Sequence, residues 1–526
     1  MPRTAPPSSP APPPSKPWSS DRAFASALTA AYIVLTVPRA LAHVMWRDEW
    51  QTWLLCRASP TLTDLWHNRA YDGHPLLWYL LVWPLTKLTA DPLAMKVLHV
   101  ALASTAVWVM ARLAPFSRVQ KALLAGGYFL FFEYAVITRN YAAAVLSTFA
   151  FCAAFVGGRV VLAGAMLFLL AQTSAYGAVL AAALALVLTA ELLPWRAGAR
   201  DRCRAARVVL SLGVVATGLA AAFLTARPPG PSSLDTPPRW ALDGVRLVHT
   251  LTVPWQAMAP IPRPVPQFWN TNVLDPEPPA NLSILAARDA TTAAPGILAQ
   301  AVLGTAVLVG VATALRRRRA LLAAWVAGTG VMLAFIYLKY FGSLRHHGHL
   351  ALLLTALLWV APAVRARPPG LPPPMARRLT SRGWTVLLIA QAVGGAYASY
   401  GELALPFSAS REAAVFVRSR FAAAAPVVVD PGRIGTPIAG CLGRPVVFAE
   451  TGRLGTFTVW DATLPVDYPI AQRAALDAAA TSPTGDAALL TNYLLPPGDP
   501  RFELLEQFPA SVVPDEVYVV YRVRAR

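Results

Sequence analysis

The chain has 526 residues, of which 56% are hydrophobic and only 14% are charged, and its mean hydropathy is +0.46. Because soluble domains carry about 25% charged residues, this composition excludes a soluble globular protein and indicates a polytopic membrane protein. The net charge of +19 does not indicate nucleic-acid binding, since the basic residues form short clusters between apolar runs and not one stripe with interleaved aromatics.

The amino-terminal residues 1–22 are rich in proline and serine and lack the cleavage site of a secretory signal, so we predict a disordered cytoplasmic tail. The following domain, residues 23–403, is predicted to cross the membrane about eleven times. The predicted crossings are residues 24–42, 93–113, 122–137, 142–156, 160–172, 177–193, 208–226, 296–315, 321–338, 350–364 and 384–403.

The basic clusters between these crossings predict the orientation of the chain. Lys and Arg are enriched in cytoplasmic loops, and with the amino terminus inside, every strongly basic short loop lies inside, including residues 316–319. This requires that residues 74–88, which contain Pro84 and Lys87, form an interfacial helix. A full crossing there is the alternative, and it would invert all later loops. The frequent Ala, Arg and Pro residues favour a bacterial plasma membrane.

Three parts of the chain are then predicted to lie outside: the loops 43–92 and 227–295, and the segment 404–526. The last segment is less apolar than the rest. Its strand-like runs at 427–429, 446–448 and 517–520 and its helical pattern at 410–423 predict a small extracytoplasmic α/β domain. The fold class is therefore an α-helical polytopic membrane protein with a small carboxyl-terminal α/β domain.

Two adjacent acids, Asp48 and Glu49, follow the first predicted crossing, where membrane and outer water meet. A carboxylate there can act as a general base on a lipid-borne substrate, or the acids can simply mark the polar boundary of a helix. The sequence has no phosphate-binding loop and no His-Glu-x-x-His motif. We therefore expect no nucleotide, no cofactor and no obligatory metal, and a donor that is already activated outside.

Three further motifs follow this acidic pair: His74-Pro75-Leu76, Ala94-Met95-Lys96-Val97 and Arg139-Asn140-Tyr141. With Asp48-Glu49, they resemble the GT-C superfamily of membrane glycosyltransferases, in particular the protein mannosyltransferase and aminoarabinose transferase type. The resemblance covers the first third of the chain in motif and the rest in topology only. It implies transfer of a sugar from a polyprenyl-phosphate donor to an acceptor protein, lipid or glycan at the outer face.

The resemblance implies that Asp48 is the general base and that Glu49 orients it or binds the acceptor, although the two acids could exchange these roles. Cations should gather near the leaving phosphate. The candidates for binding the donor phosphate or sugar are His74, Lys96, Arg139, Tyr141, Arg345 and His346. Lys96 stands where the family usually has Arg, which keeps the charge but loses bidentate geometry.

Several of these residues also fit a purely interfacial role. Arg139 and Arg345 could snorkel to the interface, and His346 could be an interfacial residue at a helix entrance. Trp269 and Asn270 in the loop 227–295 could bind the acceptor or belong to an interfacial aromatic belt.

The alternative functions are a transporter or flippase of lipid-linked saccharides, a saccharide polymerase or ligase, and a non-catalytic scaffold. A transporter would favour ionisable residues in the middle of the crossings. Here they concentrate at the outer ends, which favours chemistry at the outer face.

Overall fold

The computed structural model describes residues 17–190, 199–232, 238–276, 294–364, 374–461 and 469–525. Most of these residues are helical. The helices before the carboxyl-terminal sheet are α1 (Pro17–Ala42), α2 (Arg47–Arg57), α3 (Leu62–Asn68), α4 (Leu77–Leu88), α5 (Leu93–Leu113), α6 (Arg118–Ala125), a π-helix (Tyr128–Glu133), α7 (Tyr141–Val156), α8 (Val160–Ala171), α9 (Ala175–Thr189), α10 (Ala199–Ala226), α11 (Gly244–Met258), α12 (Pro295–Leu315), α13 (Arg319–Leu338), α14 (Leu344–Val360) and α15 (Pro374–Ala404). The predicted tail lies mostly outside the described residues.

Five of these helices are long and apolar enough to cross a membrane: Asp21–Ala42 in α1, all of α5, Cys203–Ala226 in α10, and all of α12 and α13. Helix α12 illustrates the cause, because its 21 residues begin with a proline in the first turn and include no charged side chain. Helices α7, α8 and α9 are also apolar but shorter. These helices are compatible with a multi-pass membrane protein.

The segment 122–137, predicted as one crossing, is not one continuous α-helix. Helix α6 ends at Ala125, and the π-helix follows after Gly126 and Gly127. Helix α15 packs closely here, since a Cβ on Gly395 would lie 2.5 Å from the carbonyl oxygen of Gly126. Close backbone packing therefore coincides with the break in the helix.

The predicted first outer loop consists of the three short helices α2, α3 and α4. Their apolar side chains form a separate buried cluster, in which Trp53, Leu55, Trp78 and Val82 pack against Met95 of α5. Helix α4 coincides with most of the segment that the sequence predicts as an interfacial helix. The cluster fixes α2, which carries Asp48 and Glu49, at the end of α1.

The carboxyl-terminal part is a small α/β domain that confirms the strands and the helix predicted there. Its elements are α16 (Ser410–Arg420), β1 (Val427–Asp430), α17 (Gly435–Leu442), β2 (Val446–Phe448), β3 (Arg453–Gly455), α18 (Pro469–Thr481), β4 (Asp486–Thr491), β5 (Phe502–Phe508) and β6 (Tyr518–Arg524). The strand order is β3-β2-β1-β4-β6-β5. Strand β1 is parallel to β2 and β4, with Val428 opposite Val447 and Leu489. Alternate residues of β1 enter two different cores, as expected for a strand that is buried on both faces.

The α/β domain lies directly on one face of α2. The Gln51 amide donates to the Thr458 carbonyl oxygen at 2.7 Å and accepts from the Thr458 N–H at 3.1 Å. The backbone N–H of Arg47 donates to Glu516 at 2.8 Å. The Trp50 ring covers Gly440, where a Cβ would lie 2.3 Å from the ring. The domain therefore contacts the helix that carries the two predicted catalytic acids.

Candidate functional site

The site begins at the first turn of α2. Arg47 is its first residue, so Asp48 and Glu49 lie at the end where unpaired N–H groups favour negative charge. Adjacent helical residues point about 100° apart. The two acids consequently have different surroundings.

Glu49 is fully buried and bonded within the protein. Its Oε2 atom accepts from the Trp46 N–H at 3.1 Å and contacts His43 Nε2 at 2.7 Å, while Oε1 accepts from the Thr138 N–H at 2.6 Å. Burial opposes the charge, but His43 and these hydrogen bonds outweigh it and lower the pKa of Glu49. Glu49 thus joins α2 to the end of α1 and to the segment before α7.

Asp48 is the more accessible acid, because its side chain is 24% exposed. Its Oδ2 atom lies 3.4 Å from Arg345 Nη2 and 3.9 Å from Arg139 Nη2. Burial alone would raise the pKa of the Asp48 carboxyl, but the guanidinium groups of Arg139 and Arg345 outweigh it and lower the pKa below its usual value. Asp48 is therefore an ionised carboxylate between two cations.

Arg139 joins Asp48 to His74. Arg139 Nη1 donates to the Asp48 backbone carbonyl oxygen at 2.7 Å and to the Thr52 hydroxyl at 3.2 Å. Arg139 Nη2 lies 3.2 Å from His74 Nε2. His74 Nδ1 lies 2.7 Å from the Asp72 carbonyl oxygen. Since guanidinium only donates, His74 Nε2 accepts and Nδ1 donates, which is the neutral form. Burial and the Arg139 charge lower the His74 pKa in agreement with this form.

Arg345 approaches Asp48 from the first turn of α14. Its guanidinium carbon lies 4.8 Å from the centre of the Trp46 ring and 5.3 Å from that of Trp269. The Tyr134 hydroxyl donates to the Arg345 carbonyl oxygen at 2.5 Å. The structure thus brings four predicted site residues, Asp48, His74, Arg139 and Arg345, into one group.

Tyr141 and His346 lie in an aromatic layer near Arg345. Buried Tyr141 stacks on Tyr134 at 5.1 Å and meets the His346 ring at 6.3 Å. His346 Nδ1 accepts from the Ser343 N–H at 3.0 Å, and its ring packs on Tyr176 at 5.1 Å. Both predicted residues therefore support the first turns of α7 and α14 by packing.

Lys96 binds the backbone at the carboxyl-terminal end of α1. Its ammonium group donates to the carbonyl oxygens of Ala40 at 2.9 Å and His43 at 2.8 Å. A cation at unpaired carbonyl groups stabilises a helix end. This position gives Lys96 a structural task, and its predicted role at the donor phosphate stays a prediction.

Trp269 and Asn270 were predicted to bind the acceptor. In the structure, both form hydrogen bonds with other groups of the protein. Trp269 is 4% exposed, and its Nε1–H donates to Glu133 at 2.9 Å. Asn270, with a φ of 63°, accepts from the Leu344 N–H at 3.1 Å through its Oδ1 atom. The Asn270 amide is thus bonded at the start of α14, and the Trp269 indole N–H is bonded to the last residue of the π-helix.

The residues of this region that were not predicted from the sequence include three with ionisable side chains, His43, Glu133 and Glu402. Both His43 ring nitrogens contact carboxylates, Nε2 that of Glu49 and Nδ1 that of Glu402. Glu133 is fully buried. The signal that could have found the two glutamates is the presence of an acid inside a predicted crossing, because such acids are costly unless they have a function.

The comparisons with known proteins add no family to this description. A scan against protein-family models gave no match, and a search of curated proteins also gave none.

Proposed function

We propose that this protein is a membrane glycosyltransferase that transfers a sugar from a polyprenyl-phosphate donor to an acceptor at the outer face of the membrane. The observation that supports this proposal is the partly exposed Asp48 carboxylate between the guanidinium groups of Arg139 and Arg345. A carboxylate with adjacent cations combines a proton acceptor with binding groups for a leaving phosphate.

In the proposed step, an acceptor hydroxyl or amine attacks the anomeric carbon while its proton passes to Asp48. The bond between the anomeric carbon and the phosphate oxygen breaks, and polyprenyl phosphate leaves with the electron pair. The sugar is transferred with inversion because the acceptor attacks opposite the leaving group. Asp48 is favoured over Glu49 as the base, since both Glu49 oxygens are already hydrogen-bonded within the protein.

The charge balance favours an anionic donor. Arg139 and Arg345 share the single charge of Asp48, whereas Arg47 is already paired with Asp515 at 2.6 Å. The two ion-pair distances of 3.4 and 3.9 Å are long for charge-assisted hydrogen bonds. A phosphate bound by Arg139 and Arg345 would add the missing negative charge. The resemblance to GT-C enzymes and the apolar helices agree with a lipid-linked donor.

The proposal includes the setting of the reaction. We place the protein in the plasma membrane as a multi-pass chain, with a cytoplasmic amino terminus and an outer α/β domain. Asp48 then lies at the outer surface, where lipid-linked sugars are available and nucleotides are not required.

The experiment that tests the function is sugar transfer by the purified protein in detergent. It uses radiolabelled polyprenyl-phosphate sugars and a membrane extract as the source of acceptor. We expect transfer by the parent protein and a loss of about a hundredfold or more in Asp48→Asn, as for removal of a general base. Glu503→Gln is the control, because Glu503 lies on the exposed strand β5 and pairs only with Arg524 in the described residues.

Two results would contradict the proposal. Equal transfer by the parent and a folded Asp48→Asn variant would exclude Asp48 as the base. No transfer from any donor, together with movement of a lipid-linked saccharide across vesicles that contain the protein, would support the flippase alternative.

A further inference from the structure

We propose that Trp46, Trp269 and Glu133 form a platform that holds the Arg345 guanidinium in position for an anionic substrate group. This inference rests on the proposed function for the identity of the anion, a polyprenyl phosphate. The three residues are positioning residues, because they act through Arg345 and do not contact the substrate.

The two indole rings form the surface of the platform. They meet edge to face, with ring centres 4.8 Å apart and planes at 79°. The Arg345 guanidinium lies within 6 Å of both ring centres, which is the range of a cation–π contact. Both rings are almost completely buried. A desolvated aromatic surface attracts a cation more strongly than an exposed one.

Glu133 holds the Trp269 ring of this surface by a hydrogen bond. Its Oε2 atom accepts from the Trp269 Nε1–H at 2.9 Å and from the Tyr128 hydroxyl at 3.1 Å. A carboxyl oxygen that accepts from the indole N–H polarises the ring and strengthens its attraction for a cation. Glu133 therefore acts on Arg345 through the Trp269 ring.

The remaining atom of this carboxyl group suggests that the arrangement has a function. Glu133 Oε1 is buried and has no hydrogen-bond partner among the described residues. A buried acceptor without a partner costs free energy, and Glu133 ends a π-helix, a form that is frequent at functional sites. If the contact to Trp269 were purely structural, a neutral acceptor side chain could make it with a smaller free-energy cost of burial.

The platform explains how Arg345 can serve a substrate. When aromatic rings hold a guanidinium, its N–H groups remain able to donate hydrogen bonds to partners in the guanidinium plane. In the structure one of these partners is Asp48, at 3.4 Å. A phosphate could therefore take hydrogen bonds from the edge of Arg345 while its guanidinium carbon stays within 6 Å of both ring centres.

The test is a double-mutant cycle on the binding of radiolabelled polyprenyl phosphate to the purified protein in detergent. Trp269→Leu removes the aromatic face, and Arg345→Met removes the cation at similar size. We expect Trp269→Leu to weaken binding about tenfold when Arg345 is present, and to have almost no effect in the Arg345→Met background. The control is Trp66→Leu, because the more exposed Trp66 ring lies 4.4 Å from the Arg69 guanidinium carbon and, within the described residues, does not contact Arg345.

Conservative variants separate the parts of the platform. Trp269→Phe keeps an aromatic face and should retain most of the binding. Glu133→Gln should weaken binding in the parent, but much less in Trp269→Phe, because the indole N–H that it polarises is gone. An equal loss from Trp269→Leu with and without Arg345 would overturn the platform.

The same cycle on thermal unfolding requires no ligand and separates the two proposals. If the parent does not bind polyprenyl phosphate, the proposed function fails. The platform is then supported if the double variant Trp269→Leu/Arg345→Met is less destabilised than the sum of the single variants, and it is overturned if the effects add.

Discussion

Asp48 and Glu49 differ in environment although they are neighbours in the sequence. Glu49 is bonded to His43 and to two backbone N–H groups, whereas Asp48 is partly exposed between Arg139 and Arg345. The resemblance assigns the role of general base to Asp48, but the sequence leaves open that the two acids exchange their roles. The selection depends on Thr138 and Arg345, which reach α2 only through tertiary contacts.

The cations around Asp48 predict the acid side of the pH–rate profile. Burial raises the pKa of Asp48, but Arg139 and Arg345 lower it more, so Asp48 stays ionised below the usual carboxyl pKa of about 3.9. Arg345→Met removes one cation and should move the acid limb of sugar transfer to higher pH. Arg501→Met is the control, since Arg501 pairs with Asp499. An unchanged acid limb in Arg345→Met would contradict this assignment of the base.

His43 predicts a second pH dependence, that of stability. Burial lowers its pKa, but Glu49 and Glu402 outweigh burial and raise it from 6.5 to about 9. Because the pKa is higher in the folded state, the imidazolium stabilises the fold fully below pH 6.5 and loses this contribution as the pH rises through about 9. Thermal unfolding in detergent between pH 6 and 10 should therefore show a decline that is smaller in His43→Gln. The exposed His67→Gln on α3 should behave like the parent.

Helix α2 is held by a different partner on each of its faces. The α/β domain contacts Arg47, Trp50 and Gln51. The Glu49 side chain accepts from the Thr138 N–H in the membrane domain, and Asp48 contacts Arg139. Such contacts on several sides fix the direction of a short helix that would be marginal on its own. The α/β domain therefore contributes to the geometry of the candidate site.

Gly440 tests this contact at the level of the element. A Cβ there would lie 2.3 Å from the Trp50 ring, so Gly440→Ala should push α17 away from α2. We expect destabilisation of about 1–3 kcal/mol and a loss of sugar transfer. Gly330→Ala in α13 is the matched control, since it has no atom within 4 Å of the added Cβ. Equal unfolding temperatures and activities of the two variants would show that this contact does not position α2.

The elements differ in how far the sequence predicts them. Strands β1 and β2 follow from short valine runs, and α5, α12 and α13 follow from long apolar stretches. The segment 122–137 has the same composition but forms α6 and a π-helix. Hydropathy reports the environment of a segment and not its backbone path, which here depends on contacts with α15. The number of crossings beyond the five long helices stays a prediction.

At the scale of the whole molecule, the site combines distant parts of the chain. Asp48 follows α1, Arg139 precedes α7, and Arg345 lies in the first turn of α14. The α/β domain, which holds α2, comes from the carboxyl-terminal end of the chain. These groups can meet an outer substrate only if they all lie on the same side of the membrane. The orientation of the chain is therefore part of the proposed function.

Cysteine labelling in intact cells tests this orientation. In a chain whose other cysteines are replaced by serine, exposed Cys203 should react with a membrane-impermeant maleimide only after the cells are permeabilised. A single cysteine introduced by Glu503→Cys should react without permeabilisation, because the α/β domain is predicted to lie outside. If residues 74–88 cross the membrane, both results are reversed, since all later loops are inverted. The α/β domain would then lie inside, whereas α2, which precedes this crossing, would stay outside. The two could not form the hydrogen bond between the Arg47 N–H and Glu516 that the structure contains.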